Sequence, residues 1–146
     1  MLRHRARKAY SLLEVVLASG ICATALVPAL ALLRDGVTLA DRVDTRHLLL
    51  LYGVSKMEEQ LATVAAGWAE GTFTGNFAAD AHADIRYIVT QSDEAASGGI
   101  VDRLMNVQVT TYRDDDGDAT LDADEMQNIM RTKIGRFTSY ENLAGS

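Results

Sequence analysis

Twelve consecutive residues, DDDGDATLDADE at 114–125, hold seven acidic side chains. Their spacing matches the twelve-residue calcium loop, in which oxygen ligands fall at positions 1, 3, 5, 7, 9 and 12. Asp114, Asp116, Asp118, Asp122 and Glu125 would supply side-chain oxygens, and Thr120 its backbone carbonyl. Calcium takes such oxygen-only shells, and the last glutamate can bind through both oxygens. Position 6, where the chain turns sharply and glycine is usual, is Ala119. A left-handed backbone there costs a non-glycine residue roughly 1–2 kcal/mol. The spacing therefore predicts weak calcium binding, about 10⁻⁴–10⁻³ M. The alternative is a solvated acidic turn.

A second carboxylate stands out for its surroundings. Glu14 is the only charge between residues 10 and 33, an otherwise apolar run. A charge inside a membrane helix costs roughly 2.5–3.5 kcal/mol on the mildest insertion scale. Such a group needs a partner, or must sit close enough to the interface to stay wet. A 24-residue helix is roughly 36 Å long, enough to cross a hydrocarbon core of about 30 Å. Arg3, Arg5, Arg7 and Lys8 precede the run with no acid among them, so the N-terminus is expected in the cytoplasm.

These groups must be carried by elements the sequence also suggests. Pro28, the only proline, falls inside the apolar run and is expected to kink it. Beyond Leu33, Val37, Ala40, Val43, His47, Leu50, Val54, Met57, Leu61 and Val64 recur at steps of three and four, one stripe along a helix. Gly36 and Gly53 are the places where that helix could be disturbed. His47 on the stripe is expected to be a core or interface histidine, since no Cys or His stands at ligand spacing from it. Gly67, Gly71 and Gly75 end the pattern, and GWAEGTFTGNF reads as a loop with a short strand. DIRYIVTQ alternates through Ile85, Tyr87 and Val89, and RLMNVQVTTYR through Met105, Val107 and Val109. NIMRTKIGRF is a last, weaker strand. The expected fold is α+β: a long N-terminal helix, membrane half plus amphipathic half, packed against a small antiparallel sheet.

Composition narrows the function. Removing the four leader bases from the 14 basic residues leaves 10 against 20 acids, a formal charge of −10. So acidic a surface argues against nucleic acid as a partner. Cys22 is the single cysteine, so no intrachain disulfide can form, and Ile21 before it does not suit a lipid-modified cysteine. No nucleophile–base set and no glycine-rich phosphate loop is legible, so the chain is not expected to be an enzyme.

KA-YSLLEVVLASG, residues 8–20, resembles the type IV prepilin signal: a short basic leader, a small residue, then an aromatic residue with a glutamate four positions later. Family members usually have Gly, Phe and Thr where Ala9, Tyr10 and Ser11 stand. The resemblance implies cleavage of the leader, residues 1–9, after Ala9 by prepilin peptidase, then N-methylation of Tyr10. It also implies that Glu14 pairs with the new N-terminal amine of an adjacent subunit during assembly. The implied plan is a transmembrane helix at 10–33, its amphipathic continuation at 34–66, and a periplasmic β-rich part at 67–146 containing the acidic loop. MEEQLATVAAGW and VDRLMNVQVTTY look like the I-type minor pseudopilin of type II secretion. That likeness implies a single-pass inner-membrane protein, with J-type, K-type and major pseudopilins as partners. A minor pilin of a type IV pilus shares much of the pattern. A reading of another class, a secreted calcium-binding module cleaved after Ala31, rests on PALAL at 28–32.

Overall fold

The structure, a computed structural model, describes residues 3–136, with side chains from Ser11 onward. The leader and the expected processing pair, Ala9 and Tyr10, lie outside the residues whose side chains are described. Helix α1 runs Arg3–Ala66, and four strands follow: β1 Gly71–Phe77, β2 His82–Ser92, β3 Leu104–Arg113 and β4 Gln127–Gly135. They form one antiparallel sheet in the order β1-β2-β3-β4. This is the pilin-like α+β arrangement: one long N-terminal apolar helix and a small sheet packed on it. By its contacts the chain divides into two compact units, at Val43/Asp44, so the last third of α1 belongs with the sheet.

In the first unit α1 remains helical through Pro28 and Gly36. All its side chains from Ser11 to Val43 are exposed. The segment is long and apolar enough to cross a membrane. Ser19 and Thr24 return their hydroxyls to the carbonyls of Val16 and Ile21, each at 2.8 Å, so neither leaves a polar group unsatisfied there.

In the second unit the alternation read from β2 and β3 sets the core. Val89, Met105, Val107 and Val109 are fully buried, and Met57 and Val64 of α1 close over them. Each such side chain stabilises the fold by about 1.5–3 kcal/mol. The amphipathic stripe holds at Met57, Leu61 and Val64 but fails upstream. There the row facing the sheet is Thr45, Leu49, Gly53, Lys56 and Gln60, while Val43, Leu50 and Val54 are exposed. His47, expected in a core or an interface, is exposed too, so it does not belong to the core of this chain.

The reason is how closely the sheet approaches. A Cβ on Gly53 would stand 3.1 Å from Asn128 Nδ2 and 3.2 Å from Met130 Sδ, so a larger residue there would have to push both side chains aside. Thr111 Oγ1 donates to the Leu49 carbonyl at 2.8 Å, and Arg113 Nη1 to Thr45 Oγ1 at 3.4 Å. At the far end, Trp68 Nε1 donates to Asp93 Oδ2 at 2.8 Å, and Arg136 lies over the Trp68 ring. Hydrogen bonds from Trp68 and from the Asp102 N–H hold the Asp93 carboxyl below the ordinary carboxylate range.

Candidate metal centre

The acidic segment closes the hairpin between β3 and β4. The ladder ends at Tyr112↔Gln127, and one further bond, Arg113 N–H to the Met126 carbonyl at 3.0 Å, pins the neck. Asp114 N–H donates to the Asp84 carbonyl at 2.8 Å, tying the first loop residue to β2. Beyond it the loop is organised by its own carboxylates. Asp114 Oδ1 accepts from Gly117 N–H at 2.7 Å and Asp114 Oδ2 from Ala119 N–H at 3.1 Å. Asp116 Oδ1 accepts from Asp118 N–H at 3.1 Å. Asp118 Oδ1 accepts from both the N–H and the hydroxyl of Thr120. Tyr112 caps the turn by donating its hydroxyl to the Ala119 carbonyl at 3.1 Å.

Of the six ligand positions, three come together: Asp114, Asp116 and Asp118 each place a carboxylate oxygen within 4.8 Å of the others. Glu125 lies outside that set. Its Oε1 accepts from Asp115 N–H at 3.0 Å and its Oε2 from Asp122 N–H at 3.1 Å, so both oxygens are engaged by backbone. The exposed Asp122 carboxyl is raised above the ordinary range, first by the Asp118 charge and then by burial. Asp118 is held below it by the bonds from Thr120. The Thr120 hydroxyl is turned to Asp118. The residues suit a hard cation in their chemistry, with three carboxylates gathered and the other two expected carboxylate ligands, Asp122 and Glu125, within the same loop.

Ala119 has φ +70°, the left-handed turn that position 6 requires. Gly117 also turns left-handed, at φ +80°. The strain expected at that position is therefore carried by Ala119. A second feature bears on the site. Arg86 Nη1 lies 3.3 Å from Asp114 Oδ2, with the Asp114 side chain only 3% exposed. This guanidinium occupies the carboxylate that a cation would need first. Sequence reasoning missed Arg86. Its one signal is the alternation of β2, which sends Arg86 to the face opposite Ile85 and Tyr87. Arg113 adds a second cation at the neck, 3.1 Å from Asp115 and 3.6 Å from Asp84.

Glu14, the other candidate group, lies in the first unit on the exposed surface of α1. No protein-family model, curated protein or solved structure matches the chain.

Proposed function

We propose that this chain is a minor pseudopilin of type II secretion, a structural subunit of the short periplasmic filament that drives protein export. The observation that carries the reading is Glu14. It is one carboxylate near the start of an apolar helix, directly behind a basic leader, on a helix that continues unbroken to Ala66. A permanently buried lone charge is unfavourable, and an opposite charge nearby removes most of the penalty. Cleavage after Ala9 would create that opposite charge at Tyr10 of a neighbouring subunit.

On this reading prepilin peptidase removes residues 1–9 and Tyr10 is N-methylated. The segment 10–33 stays in the inner membrane with its N-terminus cytoplasmic, and the sheet unit stands in the periplasm. The partners are J-type, K-type and major pseudopilins, and the role is mechanical, without catalysis. The acidic loop serves as a calcium clamp on the β3–β4 hairpin, using Asp114, Asp116 and Asp118 first and Asp122 and Glu125 after rearrangement. A minor pilin of a type IV pilus would use the same N-terminal chemistry.

The mature N-terminus tests the reading. Intact-mass analysis of the membrane-extracted chain is expected to give a product beginning at N-methylated Tyr10, and Ala9→Glu is expected to leave the leader in place. A soluble product beginning at Leu32 would overturn the pilin class altogether and favour the secreted module.

A further inference from the structure

β4 is an edge of the sheet, and the phase of its hydrogen bonds decides what that edge offers. Arg113 N–H donates to the Met126 carbonyl at 3.0 Å, and Arg136 N–H to the Arg103 carbonyl at 2.9 Å. Both bonds continue the single register that runs from Leu104↔Gly135 to Tyr112↔Gln127. In an antiparallel ladder, hydrogen-bonded pairs alternate with pairs that exchange no bond. Stepping inward from both ends, Asn128, Met130, Thr132 and Ile134 turn their backbone groups to β3. The N–H and C=O groups of Ile129, Arg131 and Lys133 therefore point away from the sheet. Neither a bulge nor a proline interrupts β4. Among the described residues the edge is open along this stretch, a template for one more strand.

The two faces beside that edge differ in chemistry. On the helix side Met130 and Ile134 pack against the core, but both are only half-buried. Their neighbours on β3, Met105, Val107 and Val109, are fully buried. The apolar layer thus thins at β4, and apolar side chains on an added strand would extend it. On the other face Arg131 and Lys133 are exposed, and among the described residues neither has a carboxylate within ion-pair distance. Arg131 Nε donates to Gln108 Oε1 at 2.7 Å, which holds the guanidinium on that face. Opposite charges directly across a strand pair are favourable and like charges unfavourable. β4 of a second copy, paired antiparallel at full overlap, would set Arg131 opposite Arg131. A partner strand of acidic character fits instead.

We propose that the β4 edge takes an extended segment of another protein as a fifth, antiparallel strand. Residues of that segment alternate: carboxylates face Arg131 and Lys133, and apolar side chains lie on the helix side beside Met130 and Ile134. Main-chain bonds to Ile129, Arg131 and Lys133 give the affinity, and the two rows of side chains give the choice of partner. The carboxylates belong toward Lys133, because the acidic loop runs up to Glu125, just before Gln127, and repels like charge. The proposal stands on the sheet alone, so it holds or fails independently of the mature N-terminus and of the filament reading.

The probe is a fluorescent peptide, Thr-Glu-Val-Glu-Val-Glu-Thr, titrated by anisotropy into the full chain in non-ionic detergent, with empty micelles as the blank. Saturable binding is expected, weakened at least tenfold when lysines replace the glutamates. N-methylation of the glutamate amides is expected to weaken it at least tenfold, because residues directly opposite in a bonded antiparallel pair exchange both main-chain bonds. The valine amides point away from β4, and methylating them is expected to change binding less than threefold. Arg131→Glu with Lys133→Glu is expected to reverse the preference, so that the lysine peptide binds better. Ile129→Pro removes one outward N–H and no bond to β3, and is expected to weaken binding at least tenfold with an unchanged circular dichroism spectrum. Should that variant fail to fold, the methylated peptides, which leave the chain intact, still decide. Equal effects of methylation at the two sets of amides would reduce the contact to charge attraction and overturn strand addition. No binding at millimolar peptide, a charge preference that does not reverse, or a dimer of the chain that excludes the peptide would overturn it as well.

Discussion

Replacing Ala119 with glycine separates the strain of the acidic loop from its chemistry. Ala119 sits at φ +70°, a conformation that costs an L-residue with a Cβ roughly 1–2 kcal/mol. Glycine removes that cost but loses about 0.5–1 kcal/mol more conformational entropy on folding. The net expectation is a stabilisation of about 0.5–1 kcal/mol. For a unit of roughly 100 residues this raises the melting temperature by about 2–8 °C. Ala81, at φ +65° after the short 3-10 turn, is an internal standard: Ala81→Gly should shift the melt by a similar amount without touching the loop. Both are measured by thermal circular dichroism on the detergent-solubilised chain in chelator. Calcium titration then gives the discriminating number. A turn that is left-handed with and without calcium is stabilised by glycine in both states alike, and calcium affinity should then stay within about twofold. A tenfold gain in affinity, about 1.4 kcal/mol, would mean that Ala119 adopts this turn only on binding metal. A lower melting temperature for Ala119→Gly would refute the strain itself.

Other consequences follow from single contacts. Arg86→Gln removes the cation on Asp114 and should destabilise the metal-free chain, while calcium binding tightens several-fold; unchanged affinity by calorimetry would mean that the metal does not use Asp114. Asp122→Asn should raise the melting temperature at about pH 7 in chelator and lose that advantage near pH 3. The sign follows because the folded Asp122 carboxyl is raised by Asp118, so its favourable contribution exists in acid and disappears as pH rises through the raised value. Gly75→Val should cost about 1–3 kcal/mol in a denaturant melt, since even a Cβ there runs into the Tyr87 hydroxyl. Glu14→Ala should leave the chain in the membrane fraction but reduce its co-purification with partner pseudopilins, and equal recovery would show that the charge does not recruit them.

What could be read from the sequence was what local periodicity decides. β2 and β3 alternate, and of the residues picked by that alternation Ile85, Val89, Met105, Val107 and Val109 are buried, while Tyr87 is partly buried against the core. The helix stripe was legible only where apolar residues are sparse enough to mark a face. Residues 48–51 are four consecutive leucines, which put an apolar group on every side of a helix turning about 100° per residue. Periodicity cannot choose among them, and the structure buries Leu49. The choice is made by Gly53 one turn later, whose missing side chain admits β4, a tertiary reason with no local signature. The acidic loop shows the same division. Its ligand spacing and left-handed sixth position are local and legible. The Arg86–Asp114 pair joins residues 28 apart in sequence and depends on the β2–β3 register, so no pattern within the loop announces it.

The balance of energies along α1 indicates where Glu14 should have its effect. Leu12, Leu13, Val15, Val16, Leu17, Ile21, Leu26, Val27, Leu30, Leu32 and Leu33 are each more than half exposed. Covering such side chains is worth about 1.5–3 kcal/mol apiece when complete, so even partial cover of all of them gains well over 10 kcal/mol. The charge of Glu14 subtracts roughly 2.5–3.5 kcal/mol from that on the insertion scale, a minority share. An alanine in its place would therefore make a membrane helix better at entering lipid, and insertion alone gives no reason for a carboxylate. The reason must lie in a state where the charge meets a complement, and α1 supplies none nearby: between Ser11 and Leu33 no other charged residue occurs. On the pilin reading proposed above, a complement from another chain would account for the glutamate, and the amine that cleavage would create at Tyr10 of a neighbour has the opposite sign.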